Sequence, residues 1–83
     1  MPAELHVSSL AVMARPELAA SVGAAIPALE GAEVHLASPG GKIVVTLETE
    51  NERQVLDRIE AIRSLPGVLN VALVFHRVDT EPV

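Results

Sequence analysis

Ser38-Pro39-Gly40-Gly41-Lys42-Ile43-Val44-Val45-Thr46-Leu47-Glu48-Thr49 holds a turn followed by the clearest strand of the chain. Glycine reaches backbone angles that other residues avoid, and proline before a glycine pair marks a tight change of direction. Beyond the turn, Ile43, Val45 and Leu47 alternate with Val44, Thr46 and Glu48, and the β-branched content predicts a strand over 42–49. On the near side, Glu33-Val34-His35-Leu36-Ala37 alternates as well. Two short strands joined by Pro-Gly-Gly predict a β-hairpin.

Working outward from the hairpin, each flank carries a helix and then one more strand. Towards the N-terminus, Leu18, Val22, Ile26 and Leu29 recur at helical spacing after Arg15-Pro16-Glu17, where proline suits the first helical position. Pro27 lacks an N–H and predicts an end or kink near Ile26, and Gly31 closes the segment. Before it, residues 5–13 alternate as a strand with apolar character on both faces, as a central strand has. Towards the C-terminus, Thr49-Glu50-Asn51-Glu52 has the form of a capping box. Val55, Leu56, Ile59 and Ile62 form the apolar stripe of the second helix, Arg53 and Asp57 are spaced for an ion pair, and Pro66-Gly67 ends it. Val68 to His76 is the last strand, and residues 78–83 read as a flexible tail.

Strand, helix, strand, strand, helix, strand is the order of a ferredoxin-like α+β domain: a four-stranded antiparallel sheet with two helices on one face. Residues 1–83 suffice for one such domain and no more. In that topology the first and third strands are central and the second and fourth are edges.

Composition narrows the function. Hydrophobic residues make up 49% of the chain but Phe75 is the only aromatic, so the core is aliphatic. A net charge of −5 does not suit nucleic acid, whose phosphates need clustered Lys and Arg; it suits a basic peptide, or solubility alone. With no cysteine, disulfides and thiolate metal sites are excluded. Met1-Pro2-Ala3-Glu4-Leu5-His6 lacks the basic start and apolar run of a secretory signal, and no apolar segment approaches membrane-spanning length, so a cytoplasmic location without membrane insertion is expected.

Catalytic chemistry is not announced. Gly40-Gly41-Lys42 is too short for a phosphate loop and leads into a strand rather than a helix. His6 and His76 can approach one another on antiparallel strands, yet no cysteine or carboxylate set completes a metal shell, and neither a metal nor a cofactor is expected. Ser8 and Ser9 lack the elbow motif that would activate a nucleophile; small residues there leave room above the sheet.

Room above the sheet matters because two helices cover only one face. Pleat alternation then sorts the residues. With Ile43, Val45, Leu47, Leu69, Val71, Leu73 and Phe75 towards the helices, the open face carries Val44, Thr46 and Glu48 on the third strand and Asn70, Ala72, Val74 and His76 on the fourth. Glu33, His35 and Ala37 join them from the second strand, and Val7, Ser9 and Ala11 from the first, with Leu10 and Val12 inward. Such a face, mildly apolar and rimmed by Glu33 and Glu48, is a candidate interaction surface for a peptide with an apolar run and basic residues. A homodimer through the same face is the competing use.

Several stretches also resemble the NapD family: Val7-Ser8-Ser9-Leu10-Ala11-Val12, Arg15-Pro16-Glu17, Gly31-Ala32-Glu33-Val34, Gly41-Lys42-Ile43-Val44-Val45 and Ile62-Arg63-Ser64-Leu65-Pro66-Gly67-Val68-Leu69-Asn70-Val71-Ala72-Leu73-Val74-Phe75-His76. The resemblance spans His6 to His76 and is most specific in the run from Gly67 to His76, where Phe75 stands in place of a common tyrosine. It implies a cytoplasmic maturation factor for the catalytic subunit of periplasmic nitrate reductase. Such a factor binds the subunit's twin-arginine signal peptide against the sheet and delays export until the molybdenum cofactor is in place. It carries no cofactor of its own, and Glu33 or Glu48 would steer the arginines. The same topology also serves ACT-like small-molecule sensors, for which only Pro39-Gly40-Gly41 speaks, and acylphosphatases, for which the arginine-bearing phosphate loop is missing.

Overall fold

The computed structural model describes residues 3–81 and shows the expected α+β order. Strand β1 spans Ala3–Ala14, helix α1 Ala19–Ala25, β2 Ala32–Ala37, β3 Lys42–Thr49, α2 Glu52–Arg63 and β4 Val68–Glu81. The strands form one antiparallel sheet in the order β2-β3-β1-β4, so the first and third strands are central.

The first helical segment is broken up as its prolines dictate. A 3-10 turn at Pro16–Leu18 leads into α1, and a second at Ile26–Ala28 follows where Pro27 removes a donor. Helix α2 starts two residues later than the expected capping box. Asn51, not Thr49, is the cap: its side-chain oxygen accepts from the Gln54 N–H at 2.9 Å, and the Gln54 side chain accepts from the Glu50 N–H at 2.8 Å. Thr49 instead remains in β3, buried and opposite His6.

The core lies between the helices and one sheet face. Leu10 and Val12 from β1, Ile43, Val45 and Leu47 from β3, and Val71 from β4 meet Val22, Ile26, Val55 and Ile62. Ile59 packs at the margin, while Leu56, one helical step off the stripe, is exposed. Among the described residues the ion pair on α2 joins Glu60 to Arg63 at 3.3 Å, not Arg53 to Asp57.

Glycine serves backbone geometry at both ends of the hairpin. Gly31 (φ 83°) and Gly41 (φ 101°) occupy the left-handed region, and a Cβ at either would fall on a backbone carbonyl, of Glu48 or Ala14. The chain passes this close because Glu48 N–H donates to Gly31 O at 2.9 Å and Ala14 N–H to Gly41 O at 2.8 Å.

The fourth strand runs past His76. It stays paired with β1 as far as Glu81, opposite Ala3, so residues 78–81 of the expected tail lie in the ladder. Pro82 and Val83 fall outside the described residues. This long ribbon gives the molecule its 46 Å length against widths of 19 and 18 Å.

Candidate functional site: the open sheet face

Side chains on a strand alternate strictly only while the ladder is regular, and three irregularities shift the alternation here. On β1 and β3 nothing interrupts the pairing between the two strands, and burial alternates as the pleat requires. Leu10, Val12, Ile43, Val45 and Leu47 are buried, while Val7, Ser9, Ala11, Val44, Thr46 and Glu48 line the uncovered face.

On β2 the register slips between Val34 and Leu36, leaving His35 as the extra residue. Glu33 pairs with Thr46 on the open face, as expected. After the bulge Leu36 pairs with Val44, and Ala37 pairs with the inward Ile43. Ala37 therefore does not belong to the open face: it faces Gly23 of α1, and Leu36, 52% exposed, takes its place. The His35 ring hydrogen-bonds the Thr46 hydroxyl at 2.7 Å, which holds it on the open side.

On β4 a slip between the partners of Leu10 and Ser9 leaves Val74 unpaired and exposed. Asn70 and Ala72, before the slip, pair with Met13 and Ala11 and face outward. Beyond it Phe75 pairs with outward Ser9, and His76 pairs with inward Ser8. The two residues are thus exchanged relative to simple alternation: Phe75 lies on the open face, half exposed, and His76 on the helix side. A second slip at Ala14 removes Leu69 from the core as well, leaving it exposed.

Read across the strands, the open face forms ordered rows. Lys42, Met13 and Asn70 make one end; next come Leu36, Val44, Ala11 and Ala72; then Glu33, Thr46, Ser9 and Phe75; then Glu48, Val7 and Arg77; and last Leu5 and Asp79. Apolar side chains therefore run along the middle, with Glu33 and Glu48 at diagonal positions on one side of them. Asp79 is engaged by Arg77 at 3.1 Å, whereas Glu33 and Glu48 have no ion-pair partner among the described residues. Leu36, Phe75, Arg77 and Asp79 were hidden from the sequence by the bulges and by the longer β4. Leu5 and Met13 share the parity of Val7, Ser9 and Ala11 and were accessible to the same alternation.

His6 and His76 do meet, on the other face. His6 Nδ1 and His76 Nε2 are 3.1 Å apart, and Glu4 sits 3.2 Å from His6 Nε2. With ring centroids at 5.3 Å and an interplanar angle of 23°, the separation is close to its upper limit for this contact, the N···N distance plus two ring radii. The rings thus meet edge to edge, as in an N–H···N hydrogen bond, with the two nitrogens aimed at each other. A metal held between them by bonds of about 2.0 Å would need them nearly 4 Å apart in that alignment, so the geometry suits a shared proton. Beside them the Ser8 hydroxyl is fully buried and has no hydrogen-bond partner, so no Ser–His contact prepares a nucleophile.

The chain is similar to known proteins over most of its length. The family model described as NapD protein matches residues 5–80. The Escherichia coli (strain K12) protein named Chaperone NapD is 32% identical over 77 residues, covering 92% of this chain and 88% of its own. The Chaperone NapD of Paracoccus pantotrophus is 39% identical over 74 residues, 89% of this chain and 65% of that protein. Among solved structures, the solution structure of the E. coli Tat proofreading chaperone protein NapD superposes with a TM-score of 0.81 at 34% identity, covering 88% of this chain and 78% of the other.

Proposed function

The chain belongs to the NapD family of chaperones, and from that premise we propose that it binds the twin-arginine signal peptide of the catalytic subunit of periplasmic nitrate reductase. Acting in the cytoplasm without a cofactor or catalytic step of its own, it delays export until cofactor insertion and folding of that subunit are complete. The observation that carries this reading is the uncovered sheet face, where contiguous apolar side chains adjoin the carboxylates of Glu33 and Glu48, which have no ion-pair partner among the described residues. An apolar surface is stabilised by covering it, and the carboxylates select a cationic occupant. The Pro39-Gly40-Gly41 turn, the feature that speaks for a small-molecule sensor, has a structural use in the hairpin: Gly41 N–H donates to Ser38 O, Ser38 N–H donates to Lys42 O, and Gly41 O accepts from Ala14 of β1.

Co-purification tests the proposal. Full-length reductase precursor is expected to be retained by the tagged chain, and its leaderless form is not. Equal retention of both forms, or of neither, would overturn it.

A further inference from the structure

We propose that the open face fixes the direction in which its occupant lies: the basic end of the leader over Glu33 and Glu48, and its apolar run over Val44, Ala11 and Ala72 towards Met13. The leader then runs parallel to β1 and antiparallel to β3. The inference rests on the peptide-binding reading above and adds a direction to it.

The face is polarised along its strands. Glu33 stands opposite Thr46, and Glu48 is two residues further along β3. Such diagonal neighbours lie about 7–8 Å apart at the backbone, so each carboxylate can take one guanidinium of an adjacent arginine pair. Arg77 shares that end, but its charge is matched by Asp79 at 3.1 Å, which leaves Glu33 and Glu48 as the two unmatched charges among the described side chains there. The far end carries Lys42 beside Met13 and Asn70, with no acidic side chain in those rows. Between the ends, Leu36, Val44, Ala11 and Ala72 offer only apolar contact. From Val7 to Met13 the span is about 20 Å at the usual rise per residue.

Reversal has two unfavourable consequences. The guanidiniums would meet Lys42, and the apolar run would cover two carboxylates and strip their water without replacing its hydrogen bonds. Both act in the same sense, so one direction dominates.

The test uses the full-length, isotope-labelled chain and a synthetic peptide bearing two adjacent arginines followed by about 7–15 apolar residues. A nitroxide is attached at the peptide's basic end or its apolar end. The basic-end label is expected to broaden the amides of Glu33, Thr46 and Glu48 and spare Met13 and Lys42, and the apolar-end label to do the reverse. The opposite pattern, or equal broadening at both ends, overturns the direction while leaving peptide binding intact. No broadening or shift with either label overturns the peptide-binding reading itself. Independently, Glu33→Lys with Glu48→Lys lowers affinity about tenfold at low ionic strength, and a peptide with both arginines changed to glutamate recovers most of the loss. A change of twofold or less in the charge-reversed chain overturns the assignment of these carboxylates.

Discussion

Replacing Phe75 with alanine separates the observed β4 from the one that unbroken alternation would build. Phe75 is 50% exposed and pairs with Ser9 on the open face. Fully burying a phenylalanine side chain is worth about 1.5–3 kcal/mol, so half of it gives a stability loss of about 1 kcal/mol. Had the slip at Val74 not occurred, the ring would turn to the helix side, as Leu73 does, and a ring seated fully in the core there would cost about 3–5 kcal/mol to remove. Urea unfolding followed by far-UV circular dichroism measures the difference, since the chain has no tryptophan or tyrosine to report by fluorescence. With a slope of about 1 kcal/mol per molar urea for so small a domain, the midpoint falls by about 1 M. Ile62→Ala, at a fully buried position, serves as the core reference and loses about 2–5 kcal/mol. The same Phe75 variant weakens leader binding about fivefold, because the exposed half of the ring is apolar contact surface. A midpoint loss of about 3 M or more, equal to that of the Ile62 variant, would refute the bulge and everything placed by it on this face.

Two further outcomes follow from single atoms. Ser8→Ala is expected to raise stability by about 1 kcal/mol, since the buried hydroxyl makes no hydrogen bond and its burial is otherwise uncompensated; an unfolding midpoint lower than that of the parent chain would show that the hydroxyl has a partner. Asn51→Ala is expected to lose about 1 kcal/mol and Thr49→Val less, since the Thr49 hydroxyl holds only a 3.3 Å bond to Asn51 O; the reverse ranking in the same unfolding assay would restore the cap to Thr49.

Periodicity made the architecture legible because it was unambiguous where the chain is amphipathic. The turn at 38–41 and the alternation over 42–49 are local signals with one physical interpretation, and β3 has those limits in the structure. The resemblance to NapD is carried by residues of all four strands, of the Pro16–Leu18 turn and of the end of α2, and it holds for the family. Placement on the site was less legible on the edge strands. Val71-Ala72-Leu73-Val74-Phe75 is apolar on both parities, so an extra residue leaves no mark in the hydrophobic pattern, and the exchange of Phe75 with His76 has no signal in the sequence. Likewise His35 as a bulge residue moves Ala37 to the helix side and brings Leu36 out, without any glycine or proline to announce it. Thr49 lost the cap to Asn51 for a tertiary reason: β1 continues to His6 and beyond, which keeps Thr49 in the sheet opposite it. Bulges at the edges are expected physically, because they twist an unpaired strand away from unwanted partners.

Chemical-shift mapping of the labelled chain against a synthetic twin-arginine leader locates the surface that the leader occupies. Binding is expected to move the amides of Val7, Ser9, Ala11, Val44, Thr46, Glu48 and Ala72, to leave the outward side of α2 at Arg53, Asp57 and Glu60 unmoved, and to weaken as salt is added. Shifts concentrated on the exposed sides of α1 and α2 with the sheet amides silent, or no shifts at all, would contradict binding on the open face.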